Sequence, residues 1–486
     1  MKKFAALLLL VIGVSTGASI AQARDGDLDT SWGGTGVVNV LIGSDPNLRV
    51  VSPYGSSKVV AAGFTDMGGS GYDTAFLARF LEDGSLDTTC AGTGVATTPG
   101  ASSFLASDML VLSNGSVAVV GQDLGTPSSG VVAMFDSTCQ LVPGFGSSGI
   151  VTYTERQGVE FRGVARGPND TLVIGGSVYF TPVDGGDSRP FVMRLNADGS
   201  FDTTFGDSST GRWVASANHE GYINDLVVHD DGKITFAGVQ FDATENQMVG
   251  RLTAIGAVDT TFATSGWYVP VAPNSERSQS IARRVAGGFV IVGVDVPESG
   301  TSLTESEGSI LCLTDTGTSD SACGLTGRMT FSLDGGDDGF WDIEADDQGR
   351  FLISGFVSLA SNSFSIPSPV VLRLTSDMAL DTTFGATGSM VVPFNHGHFF
   401  GVSRDIHGRV LVGGIEYVGG PTEARVLRLD SANAPTTTST TTTSTIAPQL
   451  LPATGNETSG SWAVVVMALG LGLLLVRRYA VNHSAK

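Results

Sequence analysis

A short phrase returns along most of this chain. It reads Leu28-Asp-Thr-Ser-Trp-Gly33, Leu86-Asp-Thr-Thr-Cys90, Phe201-Asp-Thr-Thr-Phe-Gly206, Val258-Asp-Thr-Thr-Phe262 and Leu380-Asp-Thr-Thr-Phe-Gly385. Two degenerate copies, Val142-Pro-Gly-Phe-Gly146 and Asp320-Ser-Ala-Cys-Gly324, fill the gaps. The anchors Asp29, Asp87, Val142, Asp202, Asp259, Asp320 and Asp381 are spaced by about 59 residues on average. Length alone would suggest two or three separate domains. A sustained repeat overrides that, because each unit is one supersecondary element that buries its apolar face only against its neighbours.

Within a unit the signals are those of short strands. A Gly-rich turn leads into an apolar strand, as in Gly36-Val-Val-Asn-Val40. Polar turns such as Asp230-Asp-Gly232 and Ser113-Asn-Gly115 end a second strand. A third reads Lys233-Ile-Thr-Phe-Ala-Gly238 or Thr171-Leu-Val-Ile-Gly-Gly176, and a fourth reads Phe191-Val-Met-Arg-Leu195, closed by Asp198-Gly199. Asn-Gly and Asp-Gly between apolar runs are hairpin signals, and the 65 glycines serve such turns. No stretch of the body carries a sustained helical period. Seven units of four short strands predict an all-β chain folded as a seven-bladed β-propeller. The last unit stops at Arg425-Val-Leu-Arg-Leu-Asp430 without its closing phrase, and the first unit opens with that phrase at Asp25–Gly33. The ring is therefore cut inside a blade, and the N-terminal strand is expected to complete the last blade and remove the open sheet edges. A monomeric ring is expected.

The units resemble the delta-60 repeat family, over residues 25 to 430. The features that carry the resemblance are an Arg-Leu strand, a Gly-containing turn and then Leu-Asp-Thr-Thr-Phe-Gly. The resemblance implies the propeller fold and no general biochemical activity.

Repeated positions can be compared inside this one chain. Arg79, Arg194, Arg251 and Arg373 each lie eight residues before Asp87, Asp202, Asp259 and Asp381, and the circular partner of Arg428 is Asp29. The second unit has Met134 and Val142 at these places, so both charges are lost together. This predicts a structural Arg–Asp contact in each blade, since a buried charge left without its partner is costly. The fifth unit, with Cys312 in the arginine position but Asp320 retained, stands against it. Calcium ligation is the functional alternative for these aspartates, but one carboxylate per blade gives no compact ligand loop, and Asp and Thr commonly bond local backbone in turns. No cofactor is expected. The Phe of the phrase reads as a core anchor.

Cys312 takes the Arg position and Cys323 the Phe position of one unit, which predicts a Cys312–Cys323 disulfide across its closing turn. Cys90 and Cys139 lie in successive units and make the second expected bridge, with four unpaired buried thiols as the alternative. His396-Gly-His398 is the one tight histidine pair. Its side chains would share a strand face, but it has no further ligand at metal spacing, so packing is the expected use. No nucleophile elbow, phosphate-cradling Gly loop or His-Glu zinc motif is present. Asp337-Asp338 and Asp346-Asp347 fall in turn-like sequence, where a glycosidase pair could be hidden.

The two ends carry delivery signals. Lys2 and Lys3, the apolar stretch Ala5–Val14 and the small-x-small site Ala21-Gln22-Ala23 make residues 1–23 a secretory signal peptide. Residues 24–430 form the propeller. Residues 431–450, with an unbroken Thr/Ser run from Thr436 to Thr445, form a disordered stalk of low core-forming capacity. Residues 451–486 contain Leu451-Pro452-Ala453-Thr454-Gly455, an apolar run from Trp462 to Val476, and Arg477-Arg478. This order resembles the LPXTG cell-wall sorting signal. It implies cleavage by a sortase between Thr454 and Gly455 and amide linkage of Thr454 to a peptidoglycan precursor. The apolar run predicts a short hydrophobic helix of roughly 22 Å, against a hydrocarbon core of about 30 Å. It can pause in a membrane with the arginines on the cytoplasmic side. Retention as a tilted or bilayer-thinning anchor is the other reading.

The chain has 27 basic and 48 acidic residues, a net charge of −21. Removing Lys2, Lys3, Arg477, Arg478, Lys486 and Glu457 leaves 22 against 47, or −25. Nucleic acid is excluded as a partner by this balance. The expected protein is a cell-surface binding or adhesion module for a protein or glycan, non-enzymatic in the absence of a catalytic constellation. The alternative is an extracellular, glycosidase-like hydrolase using acids around the propeller channel.

Overall fold

A computed structural model describes residues 24–431 except 68–72, 99–102, 182–186, 243, 271–273, 297–305, 334–335, 359–366, 386, 393–395 and 418–421. The signal peptide, the threonine run, the Leu451–Gly455 pentapeptide and the apolar run lie outside the described residues. Among the described residues, twenty-eight strands form seven antiparallel four-stranded sheets. Six blades are each built from four successive strands, as in Gly221–Val228, Ile234–Phe241, Glu245–Leu252 and Trp267–Tyr268 of the fourth. Among the described residues the helical segments are three 3-10 turns, Pro168–Asp170, Asp207–Ser209 and Ser321–Cys323. No helix among them is long and apolar enough to cross a membrane.

The seventh blade has the predicted cut. Gly397–Arg404, Val410–Tyr417 and Thr422–Leu429 are joined by Val37–Val40, with Val37 opposite Leu427 and Val40 opposite Ala424. Seven separate apolar clusters fill the seven interfaces between neighbouring blades. One of them places Trp32 and Val40 of the N-terminal segment with Phe76 of the first blade and Leu411 of the last.

The repeated phrase is the clamp between blades. Arg194 Nε donates to Asp202 Oδ2 at 2.7 Å and its Nη1 to the Ala254 carbonyl of the next blade at 2.8 Å. The second aspartate oxygen accepts the Thr204 hydroxyl and backbone N–H, an Asx turn that the Asp-Thr-Thr spelling encodes. Arg79–Asp87, Arg251–Asp259, Arg373–Asp381 and Arg428–Asp29 repeat the pair at 2.7 to 2.9 Å. In the fifth unit, where Cys312 stands in the arginine position, Arg284, in the turn after the strand Ser275–Arg283, reaches Asp320 instead. The carboxylate keeps a cation, and the exception to the joint-loss rule is removed. Burial opposes ionisation of Asp202, Asp259 and Asp381, but the Thr hydroxyl, the backbone N–H and the arginine outweigh it and hold these carboxyls below their ordinary range. With both oxygens so engaged, these aspartates are occupied by the fold. Among the described residues no group of three or more His, Cys, Asp or Glu is arranged to hold a metal ion.

Where the phrase keeps its Phe beside a clamp arginine, the ring lies against the guanidinium, with Arg194 4.6 Å from the Phe205 ring centroid and Arg251 4.6 Å from Phe262. The same ring packs on a turn glycine of the following blade. A Cβ at Gly256, whose φ is +81°, would come within 2.9 Å of Phe205. Two units depart from this Phe–Gly contact. Cys90 takes the Phe position and is bonded to Cys139, which takes the turn-glycine position with φ +60°. Cys323 takes the Phe position in the fifth unit, is bonded to Cys312, and shares a core cluster with Met378, which stands in the turn position with φ +61°.

Candidate binding site at the channel mouth

The first strand of every unit carries a β-bulge at the same place. The register shifts across Leu48/Val50, Ala106/Asp108, Phe161/Gly163, Ile223/Asp225, Ser278/Ser280, Phe340/Asp342 and Phe399/Gly401. A bulge leaves one residue outside the ladder and re-aims its side chain. The seven residues so released are Arg49, Ser107, Arg162, Asn224, Gln279, Trp341 and Phe400. All seven line both of two cavities, of about 280 Å³ and 120 Å³. They therefore form a collar, one residue per blade, between an outer and an inner chamber of the channel.

The outer chamber adds Phe64, Leu105, Gln122 and Glu160 to the collar. Its aromatic side is continuous. Trp341 lies 5.6 Å from Phe400 between ring centroids, and His398 stacks on Phe400 at 5.8 Å and meets Phe356 at 4.8 Å. Burial, aided by the nearby Arg49 charge, pushes His398 down to about 4, so the ring is neutral at ordinary pH and belongs to this wall. His396 lies 6.5 Å from Tyr417. The pair thus takes part in aromatic packing.

The collar's two arginines differ. Arg162 is pinned, donating to Glu160 at 2.9 Å and Asn224 at 3.1 Å with its guanidinium 4.2 Å from the Tyr222 ring. Glu160 in turn accepts from the Tyr179 hydroxyl. Arg49 has no carboxylate or hydrogen-bond acceptor among the described residues. It is held by ring faces alone, 4.5 Å from Phe400 and 5.4 Å from Phe64.

The inner chamber is acidic. Asp108, Asp225, Asp342 and Ser280 join the collar there. Each aspartate spans to the following blade, Asp108 accepting from the Val164 N–H, Asp225 from Ile281 and Asp342 from Val402, at 2.8 to 3.0 Å. The Ser280 hydroxyl lies within hydrogen-bond distance of both Asp225 and Asp342. One hydroxyl proton cannot serve both, so a second proton on the pair satisfies the arrangement. Burial and the neighbouring Asp225 charge push Asp108 up to about 8, burial pushes Asp225 up to about 6, and burial raises Asp342.

Other carboxylates singled out in the sequence lie elsewhere. Asp338 opens the strand Asp338–Ala345, is buried, and accepts from the Leu333 N–H. Asp346 is closed in a turn with Gln348 and Arg350, while the Asp347 side chain is exposed. They are not among the channel-lining residues. The collar itself escaped sequence reasoning. Its signal is a position that differs in almost every unit (Arg, Ser, Arg, Asn, Gln, Trp, Phe) between constrained neighbours.

No curated protein matches the chain. Solved structures match at low identity. A protein of unknown function from Dyadobacter fermentans is 11% identical, covering 81% of this chain and 98% of its own, with a TM-score of 0.40. The polysaccharide lyase Uly1 is 9% identical, covering 85% and 94%, with a TM-score of 0.45. A gluconolactonase from Xanthomonas campestris, XC5397, is 14% identical, covering 80% and 100%, with a TM-score of 0.34. Likeness at this level bears on neither ligand nor chemistry. The family described as "Domain of unknown function (DUF5122) beta-propeller" matches residues 57–89 and 167–205, which are the second and third strands and the Asp-Thr-Thr phrase of the first and third blades.

Proposed function

We propose that the protein is an exported, envelope-anchored propeller that binds a ligand at its channel mouth without transforming it. The observation that carries this is the collar. Seven positions made equivalent by the fold hold seven side chains of mixed kind, aromatic, amide, hydroxyl and cationic, converging on one cavity. Sites that bind small molecules combine apolar walls with a few placed polar groups in this way. The acids below are engaged by backbone N–H groups of adjoining blades, a use that holds the ring together. Display is supported by the ordered signals at the two ends, from the Ala21-Gln22-Ala23 site to Leu451–Gly455 and Arg477-Arg478. The partners in that step are a sortase and a peptidoglycan precursor.

A glycan array and a panel of glycosidase substrates, run on the protein and on Trp341→Ala, test the binding half. The expected outcome is glycan retention that falls at least tenfold, or about 1.4 kcal/mol, in the variant, with no turnover. Turnover of a glycoside that disappears on substituting Asp108 or Asp225 would establish a hydrolase instead.

A further inference from the structure

The outer chamber contains a guanidinium whose donors nothing among the described residues accepts. Arg49 sits at the bulge of the strand Ser44–Tyr54, half-buried, on the faces of Phe400 and Phe64. Chamber acids exist, but they are turned away from it. Glu160 is taken by Arg162 and Tyr179, and Asp108, Asp225 and Asp342 face backbone N–H groups of the next blade. Burial presses the Arg49 guanidinium below its ordinary range, so it gains from any anion that enters. A planar fork of donors is matched best by a planar carboxylate, taken through two parallel bonds.

The surroundings narrow the ligand further. Trp341 and Phe400, the latter backed by the neutral His398, offer apolar faces, and Gln122, Asn224 and Gln279 offer amides to hydroxyl groups. The cavity of about 280 Å³ lies just below the ~300–1,000 Å³ range of drug-sized sites. It suits one sugar ring rather than a long segment. The chain's net charge of −21 disfavours a polyanion, whereas a single carboxylate meets a local cation within a screening length of about 8 Å.

Resting on the channel-mouth reading, we propose that the collar is a subsite for a single carboxylate-bearing sugar, a uronic acid residue or a chain end of that kind. Arg49 holds the carboxylate, and Trp341 and Phe400 pack against the ring.

Calorimetric titration of the full chain with glucuronic and galacturonic acid, against glucose and galactose, tests this. Free glutamate serves as a carboxylate without a sugar. The acids should bind at least tenfold tighter than the neutral sugars. Arg49→Ala should abolish that preference while leaving residual binding. Arg49→Lys should retain part of it, and its unchanged melting would show that the fold survives. Equal binding of acidic and neutral sugars that still depends on Trp341 overturns the carboxylate assignment and leaves the channel-mouth reading standing. Glutamate binding as tightly as the uronic acids through Arg49 overturns the sugar assignment. Binding of none of these probes overturns the subsite, and the array result then decides the channel-mouth reading separately.

Discussion

At the scale of single residues, the chain records its own substitution experiments. An aromatic ring meets a turn glycine where Trp32 faces Gly84, Phe145 faces Gly199, Phe205 faces Gly256, Phe262 faces Gly317 and Phe384 faces Gly26. The remaining two interfaces have Cys90 bonded to Cys139, and Cys323 with Met378. Loss of the ring is accompanied each time by loss of the glycine, because a side chain or a disulfide must fill the space the ring vacates. The Cys90–Cys139 bridge spans 49 residues, for which chain entropy alone gives about 4 kcal/mol. Cys90→Ala with Cys139→Ala should lose that much in urea unfolding. Cys90→Phe with Cys139→Gly should recover roughly 2 kcal/mol of it by burying a ring at a position that tolerates it. Equal stability of the two double variants would show that the bridge does not replace a packing contact. Much of this residue-level order was readable beforehand. The eight-residue Arg–Asp spacing and the placement of the cysteines on phrase positions follow from alignment of the units with one another. Arg284 was not readable, because it lies in the turn after another strand and only the folded sheet brings it to Asp320.

At the scale of elements, the first strand of each blade does two things through one bulge. The residue outside the ladder enters the channel, and the residue after it sits against the next blade. In the second, fourth and sixth units that following residue is Asp108, Asp225 or Asp342. Their carboxyls are raised in the folded state, as is Glu344, pushed up to about 8 by burial. A carboxyl raised on folding contributes stability fully below its unfolded value near 4, and that contribution is lost as pH rises through the folded value. The clamp aspartates have the opposite sign, since their lowered values give stability above pH 4 that is lost in acid. Melting temperature should therefore fall steadily from pH 5 to pH 8.5 and fall again below about pH 4. A melting temperature that rises between pH 5 and 8.5 would contradict the placement of these acids in the ring. Strand number and hairpin positions were legible from turn chemistry. The bulges were not, because a bulge depends on the partner strand's register, and without them nothing in the sequence says which side chain enters the channel.

At the scale of the molecule, closure and display are separate claims. Closure rests on the N-terminal segment. Asp25 pairs with Arg373, Asp29 with the buried Arg428, Trp32 fills the last interface, and Val37–Val40 is the outer strand of the last blade. Deleting residues 25–40 leaves Arg428 buried without its partner, at a cost of about 3–5 kcal/mol, and removes Trp32 for a similar amount. The truncated protein should melt well below the parent or fail to fold, and parental melting would refute closure as a source of stability. This part of the fold was visible in the sequence because the missing phrase at Asp430 and the surplus phrase at Asp25 are complementary. The proposed display depends on the last 36 residues, from Leu451 to Lys486, whose chemistry is read from motif order. The proposal that the propeller is displayed by sortase linkage to the wall stands or falls with what happens to that tail. Intact mass and peptide mapping of the protein released from its native envelope measure it directly. The account predicts a C-terminus at Thr454 carrying a covalent peptidoglycan fragment, with Gly455–Lys486 gone. A chain recovered from the membrane fraction with its C-terminus intact at Lys486 would contradict it.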